Sequence, residues 1–128
     1  MSLINRVLID TSAWIECFRP QGRLEVQERV GNMVIEGRAV WCDMIYLELC
    51  NGARNSEERK ALQQLYQNID LLPITSEVWK IAFEIAKQCR SKDYTIPVTD
   101  IIIAACANYH KTAIEYLDSH FDVLRKFF

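Results

Sequence analysis

The chain has 128 residues, of which half are hydrophobic and a quarter are charged. This composition is typical of a globular domain with a sizeable apolar core, so we expect one domain over residues 1–128 and exclude a disordered chain. The formal net charge of −2 excludes a uniformly basic surface. Any contact with nucleic acid must therefore come from local groups of cations.

The sequence contains no obvious membrane segment. One of its longest apolar stretches, residues 101–107, is far shorter than the roughly 20 residues that a membrane-spanning helix needs. Residues 1–6 contain one cation and lead directly into a predicted strand, without the apolar region and cleavage site of a signal peptide. We therefore expect a cytoplasmic protein that does not span a membrane.

Short β-rich runs alternate with longer helical patterns along the chain. Gly37 and the hydroxyl residues Ser56 and Thr99 are predicted to lie at helix ends, the two hydroxyls as N-terminal signals. Strands are predicted at residues 7–9, 39–42, 69–74 and 112–117, and helices at 13–18, 24–36, 44–54, 57–66, 77–90 and 100–109, with a short terminal segment after residue 120. Such alternation predicts an α/β fold with a parallel sheet covered by helices.

Four acidic residues differ from the others, which alternate with cations on amphipathic helices. Asp10 ends the first strand and Glu48 interrupts the apolar segment 44–50. Asp100 opens a helix that is apolar on every side, and Asp118 directly follows the last strand. A carboxylate in or beside such segments loses hydration energy unless a cation or several donors compensate. These four residues are therefore the candidates for a functional site.

Parallel strands deliver their carboxyl ends to one edge of a sheet, so Asp10 and Asp118 are expected on the same side. The neighbouring helices can bring Glu48 and Asp100 there. Carboxylates in one pocket repel each other, and a divalent cation reverses that repulsion. Oxygen ligands suit Mg²⁺ or Mn²⁺, which can polarise a phosphodiester and generate hydroxide from bound water. The residues favour phosphodiester hydrolysis.

Each of these carboxylates also has an ordinary structural role open to it. Asp10 and Asp100 can cap the helices that follow them. Glu48 can lie on the solvent face of an amphipathic helix, and Asp118 can be a turn residue. A coincidence of all four is much less expected than any one alone.

Four stretches of the chain, taken together, resemble a PIN domain, and more narrowly the VapC-type toxins of toxin–antitoxin pairs. They are residues 7–14, the run Leu47-Glu48-Leu49 with Gly52 after it, residues 96–100 continuing into 103–107, and residues 118–121. The resemblance covers nearly the whole chain in the right order.

The resemblance implies a three-layer α/β/α fold with a central, mostly parallel sheet of four to five strands. It also implies a Mg²⁺- or Mn²⁺-dependent endoribonuclease, the toxin of a type II system, which is usually a homodimer neutralised by a small DNA-binding antitoxin. Asp10 and Asp100 match the metal-binding carboxylates, Glu48 matches a residue that positions metal or water, and Asp118 completes the acidic catalytic site. Ser12 matches a hydroxyl that can hydrogen-bond the acidic cluster, although a helix cap is an equal alternative.

Three departures from the family pattern affect these assignments. Asp43 stands where Ser or Thr often opens the Glu helix, and we predict that it caps this helix. Residues 92–94 stand where the family often has Gly before its Pro-containing loop. His120 replaces a frequent second acid, and is either a neutral surface residue or a phosphate contact. Asp118 is preferred to Asp122 because it directly follows the strand.

Apolar and basic groups suggest where partners bind. Predicted helix faces carry Trp14, Ile15 and Phe18, and also Leu62, Leu65 and Tyr66. Such faces mostly belong to the core, but in the resembled family a groove between these helices receives the antitoxin. Local cationic groups, which are alternatively solvated helix faces, are Arg54 with Arg59 and Lys60, Arg90 with Lys92, and Arg125 with Lys126.

Other classes of protein are less consistent with the residues. A haloacid dehalogenase-type phosphotransferase needs a second Asp two residues after the first, where Ser12 stands. A receiver domain needs an acidic pair at the end of the first strand and a Lys after the last strand, and neither is evident. A catalytically silent metal-binding or interaction module remains the alternative. The five cysteines, with no C-x-x-C pair, are predicted to be reduced thiols of the core.

Overall fold

A computed structural model describes residues 5–128 as a four-stranded sheet with seven α-helices around it. The strands are β1 (Val7–Ile9), β2 (Ala39–Trp41), β3 (Asp70–Leu71) and β4 (Ala113–Glu115). The helices are α1 (Thr11–Phe18), α2 (Leu24–Ile35), α3 (Asp43–Gly52), α4 (Ser56–Asn68), α5 (Ser76–Ser91), α6 (Val98–His110) and α7 (His120–Leu124), followed by a 3₁₀ helix (Arg125–Phe127). The sheet order is β3-β2-β1-β4 and every pair is parallel, which confirms the predicted α/β fold.

β1 lies in the interior of the sheet, and its pairing with β4 brings the carboxyl ends of these two strands side by side. Its residues Leu8 and Ile9 are fully buried, as expected of a parallel strand that is covered on both faces. Ile9 pairs with Glu115 of β4, so the two strands end at the same level. Consequently Asp10, just after β1, lies beside the segment that leads from β4 to Asp118.

α6 is the central helix of the core. Residues 101–107 are all buried, and the helix packs most extensively against α5. A helix that is apolar on every side is stable only when it is surrounded by protein. Its burial fixes the position of Asp100 in the first turn.

Several predicted element boundaries were wrong. The strands expected at 69–74 and 112–117 contain two and three residues respectively, Asp70–Leu71 and Ala113–Glu115. After β3 the Leu72 amide still donates to the Trp41 carbonyl at 2.8 Å, whereas after β4 the Leu117 amide donates to the Ser12 hydroxyl and not to a strand. α4 is capped by Asn55, whose Oδ1 accepts a hydrogen bond from the Glu58 amide at 2.9 Å, and not by Ser56. α6 begins directly after Pro97, so Thr99 lies within the helix and does not cap it.

Two further residues test the predicted helix ends. Gly37 follows α2 with φ of 72°, a left-handed conformation that ends a helix, as predicted. Asp43 does not cap α3: it is the first helical residue, Cys42 is at the N-cap, and Asp43 Oδ1 instead accepts a hydrogen bond from the Tyr66 hydroxyl at 2.9 Å.

Between residues 5 and 128, no helix combines the length and the apolar character needed to cross a membrane. The prediction about a signal peptide concerns residues 1–6, of which the first four lie outside the described residues. Cys42, Cys89 and Cys106 are buried, whereas Cys17 and Cys50 are half-buried, so part of the predicted set of core thiols lies at the edge of the core.

Candidate metal centre at the carboxyl edge of the sheet

Asp10 is a buried carboxylate that also caps a helix. It is 3% exposed and is the N-cap of α1. Its Oδ2 accepts hydrogen bonds from the Ser12 amide at 3.1 Å and from the Ser12 hydroxyl at 2.6 Å. Burial raises the pKa of the Asp10 carboxyl, the Ser12 bonds oppose that rise, and the nearby charge of Glu48 adds to it. The cap therefore stabilises a carboxylate that burial disfavours.

Ser12 connects the ends of two strands. Its Oγ donates to Asp10 and accepts a hydrogen bond from the Leu117 amide at 3.0 Å, which links the end of β1 to the segment after β4. The two alternatives for Ser12 were a contact with the acidic cluster and a helix cap. The hydroxyl makes the contact with Asp10, and the cap of α1 is Asp10 itself.

Glu48 lies at the carboxyl edge of the sheet and is held there by Thr11, not by Ser12. It is half-buried on α3, and its Oε1 accepts a hydrogen bond from the Thr11 hydroxyl at 2.7 Å. Because Thr11 follows Asp10 directly, this bond ties α3 to the start of α1. Glu48 therefore is not a freely solvated residue of an amphipathic helix.

Asp100 is the most strongly perturbed acid of the group. It is 6% exposed, and the cap position of α6 is occupied by Pro97, so Asp100 does not cap this helix. Burial, followed by repulsion from Asp118 and Asp10, raises the pKa of the Asp100 carboxyl to about 6, although the contact with His120 opposes this rise. The carboxylate is therefore held close to other negative charges.

His120 lies between two of the acids. Its Nδ1 is 3.0 Å from Oδ2 of Asp100 and 2.9 Å from Oδ1 of Asp118. Asp118 Oδ1 also accepts a hydrogen bond from the His120 amide at 2.9 Å, so Asp118 fills the predicted turn role and faces the cluster as well. The sequence pattern did not predict that His120 would contact these acids. The position of His120 at the start of a helix, two residues after a strand-end acid, indicates that it lies near Asp118.

Asp122 is directed elsewhere. Its Oδ1 accepts a hydrogen bond from the Tyr116 hydroxyl at 2.9 Å. The structure therefore groups Asp118, and not Asp122, with Asp100.

The donor set of this cluster fits a divalent cation. One ligand atom from each of Asp100, Asp118 and His120 lies within 4.8 Å of the others. Carboxylate oxygens suit Mg²⁺ and Mn²⁺, and the pKa of Asp100 is raised first by burial and then by a repulsion between acids that a cation would remove. Asp10 and Glu48 are not in this group of three. The charge of Asp10 contributes to the raised pKa of Asp100, and the charge of Glu48 contributes to the raised pKa of Asp10.

The loop before α6 explains one departure from the family pattern. Asp93 adopts φ of 59°, in the left-handed region, and the Tyr94 amide donates to the Cys89 carbonyl at 2.9 Å. Gly adopts this conformation without strain, and Asp is among the few other residues that tolerate it. The loop therefore keeps the conformation that Gly favours.

A groove begins beside the acidic residues, but Trp14 does not line it. Trp14 is 3% exposed with its ring 5.4 Å from that of Trp41, so of the two alternatives for this helix face the core applies to Trp14. Ile15 and Phe18 are exposed, at 40% and 46%. A groove of about 580 Å³ between α1, α3 and α4 is lined by residues that include Ile15, Phe18, Glu48, Leu49, Arg54 and Leu62.

Comparisons with known proteins identify the family. The family model of the PIN domain matches residues 7–126. The VapC ribonuclease Mb1587 of Mycobacterium bovis is 31% identical over 124 residues, which cover 94% of this chain and 92% of that protein. Ribonuclease VapC18 of Mycobacterium tuberculosis is 25% identical over 118 residues, which cover 89% and 83% of the two chains.

Solved structures share the fold at lower sequence identity. FitAcB from Neisseria gonorrhoeae superposes with a TM-score of 0.77 at 24% identity, and the match covers 93% of both chains. DNA-bound VapBC from Salmonella typhimurium gives a TM-score of 0.79 at 15% identity, covering 93% of this chain and 92% of that one. Because the family model spans nearly the whole described chain and the parallel sheet carries acidic residues at its carboxyl edge, the chain belongs to the PIN domain family.

Proposed function

We propose that this chain is a Mg²⁺- or Mn²⁺-dependent endoribonuclease, the toxin component of a type II toxin–antitoxin system. The observation that carries the proposal is the buried Asp100 carboxylate, whose pKa is raised to about 6 by burial and by the neighbouring acids Asp118 and Asp10. Strongly perturbed acids at the carboxyl edge of a parallel sheet are typical of active sites. The relatives named VapC ribonucleases support the choice of RNA as the substrate.

Each acid has a distinct task in this proposal. Asp10 and Asp100 hold the cation, and Asp118 completes the acidic site. Glu48, oriented by Thr11, positions the attacking water or the metal. The bound cation would polarise the scissile phosphodiester and lower the pKa of a bound water. His120 keeps Asp100 and Asp118 together, since its Nδ1 lies within hydrogen-bonding distance of both.

The proposal includes protein partners. Solved structures of the same fold include VapBC complexes, two of which are bound to DNA. The groove beside Glu48 exposes Ile15 and Phe18, an apolar surface suited to an antitoxin helix. We further propose a homodimer in the cytoplasm, as is usual for this class of toxin.

Cleavage of structured RNA by the purified protein, with Mg²⁺ or Mn²⁺, tests the proposal. Asp10→Asn, Asp100→Asn and Asp118→Asn should each reduce cleavage by at least about 100-fold, because each removes a charge that holds the cation. Asp122→Asn is the matched control, since this acid contacts Tyr116 and not the cluster. If folded wild type and all variants leave the RNA intact, the silent metal-binding or interaction module is the correct reading.

A further inference from the structure

A second feature lies at the opposite side of β4 from β1. β4 is an edge strand, with β1 as its only neighbour in the sheet of the described residues. A cavity of about 680 Å³ extends along this strand between the end of α6 and the terminal 3₁₀ helix, and we call it the basic channel. Its cations are Lys111, Arg125 and Lys126, and its aromatic residues are Tyr116, Phe127 and Phe128.

The basic channel is lined by three cations, and the acid that contacts its wall, Asp122, is bound by the Tyr116 hydroxyl and does not itself line the cavity. No Asp or Glu is among the residues that line it. Across residues 5–128, no ion pair joins Lys111, Arg125 or Lys126 to a carboxylate. A concave surface that is lined by several cations and by no acidic residue attracts an anionic ligand.

A fourth cation reinforces this charge. Lys92, at the end of α5, is close enough to Lys126 to be the main cause of the lowered pKa of the Lys126 ammonium group. Two cations that are far apart in the sequence therefore come near each other in the fold. Like charges repel, and an anion placed between them would relieve the repulsion.

The aromatic residues favour a nucleic acid strand over a small anion. Tyr116 packs against Phe121 and Phe128 at the wall of the channel, and Lys126 Nζ lies 5.1 Å from the centre of the Phe127 ring. Cations interleaved with aromatic rings bind single strands through phosphate contacts and base stacking. Tyr116, at one end of the channel, precedes Asp118 by two residues, so a strand that leaves the channel there is directed towards the segment that carries Asp118.

We propose that the basic channel binds the single-stranded RNA that flanks the cleaved phosphodiester. In this arrangement Lys111, Arg125 and Lys126 contact backbone phosphates, and a base stacks on Tyr116 or Phe128. The inference rests on the proposed ribonuclease function, because it assigns a binding path to the substrate of that same site.

Binding of labelled RNA at different salt concentrations tests the channel. The triple variant Lys111→Asn, Arg125→Gln, Lys126→Gln removes its three cations, and Asn tolerates the left-handed backbone of residue 111, whose φ is 56°. The matched control Arg23→Gln, Lys80→Gln, Lys87→Gln removes three exposed cations, one at the start of α2 and two on α5. Each protein also carries Asp100→Asn, so that the RNA stays intact during the titration.

We expect the channel variant to bind an RNA of about 16 nucleotides about 10- to 100-fold more weakly than the control at about 0.1 M salt. The slope of log affinity against log salt should fall by about 2, since each lost phosphate contact removes about 0.7. With an RNA of about 4 nucleotides the two proteins should differ less. Equal affinities and equal slopes for the channel and control variants would overturn the inference.

A photo-crosslink locates the RNA in the unaltered chain and does not depend on the folding of the variant. RNA that contains 4-thiouridine should crosslink to peptides with Tyr116 or Phe128, and crosslinks confined to the α1–α3–α4 groove would contradict the proposal. A channel variant that binds RNA like the control and loses affinity for a peptide partner would also contradict the proposal and would assign the β4 edge to strand addition. Failure of the wild type to cleave any RNA refutes the proposed function separately, because these binding measurements do not depend on cleavage.

Discussion

The hydroxyl of Ser12 donates a hydrogen bond of 2.6 Å to Oδ2 of Asp10, the acid at the end of β1. Ser12 Oγ also accepts a hydrogen bond from the Leu117 amide at 3.0 Å. One side chain therefore stabilises the charge of Asp10 and fixes the spacing between β1 and the segment that carries Asp118. This dual contact makes position 12 a sensitive test of how the site is held.

Ser12→Ala should destabilise the fold by about 2 kcal/mol, because a charge-assisted hydrogen bond is lost and the Leu117 amide loses its acceptor. The pKa of Asp10 should rise further, because the hydrogen bond from the Ser12 hydroxyl opposes the effect of burial in the wild type and is absent from the variant. Urea unfolding at pH 7 measures the first effect, and Mn²⁺ titration calorimetry measures the resulting weaker metal binding. Ser12→Thr keeps the hydroxyl and should behave like wild type; an equally large loss in this control would contradict the explanation.

Thr11→Val should reduce RNA cleavage roughly 3- to 10-fold with little change in stability, an estimate based on the loss of one positioning hydrogen bond. The Thr11 hydroxyl holds Glu48 Oε1 at 2.7 Å, and Val has nearly the same shape without a donor. Steady-state cleavage rates and thermal unfolding measure the two quantities. Thr11→Ser retains the donor and is the control. Unchanged cleavage in Thr11→Val would mean that Glu48 does not depend on Thr11.

The arrangement of the strands and their acids could be predicted because it depends on short-range patterns. Asp10 and Asp118 follow apolar strands, and parallel pairing brings strand ends together. The contact of His120 with Asp100 could not be predicted, because it depends on the turn at Asp118 and on the direction in which α7 begins.

Trp14 and the basic channel illustrate what sequence patterns leave open. The pattern placed Trp14 on a helix face with Ile15 and Phe18, but it could not say which of the three would meet Trp41 in the core. The channel forms only because the terminal 3₁₀ helix returns to the end of α6. Local sequence periodicity does not predict contacts between segments that are far apart in the chain.

His120→Ala should weaken Mn²⁺ binding and slow cleavage, because the contacts that keep Asp100 and Asp118 together are lost. His120→Asn keeps an N–H donor close to the position of Nδ1 and should retain most of both properties. We expect a loss of roughly 10-fold for Ala, within the range for residues that orient metal ligands. Titration calorimetry and cleavage rates measure the two effects. If Ala and Asn behave identically, His120 does not act through its Nδ1.

Asp100→Asn should stabilise the metal-free protein at pH 7 and abolish cleavage. The folded pKa of Asp100, about 6, lies above its ordinary value of 3.8, so the folded state favours the protonated form. The resulting penalty is absent below pH 4, grows between pH 4 and 6, and is complete above pH 6. It amounts to roughly 2 to 3 kcal/mol, since one pKa unit corresponds to about 1.4 kcal/mol and the side chain is only 9% exposed. The lost His120 contact offsets part of this gain.

Urea unfolding of wild type and Asp100→Asn at pH 4 and pH 7, with and without Mg²⁺, measures this effect. The variant should be the more stable protein at pH 7 without metal, and the difference should shrink at pH 4. Mg²⁺ should stabilise wild type more than the variant, because the cation neutralises the repulsion between Asp100, Asp118 and Asp10 that the variant has already reduced. Asp122→Asn, outside the cluster, should show no such dependence on pH or Mg²⁺. A wild type that is more stable than Asp100→Asn at pH 7 without metal would show that the carboxylate is compensated by its hydrogen bonds, and that no cation is needed to hold it.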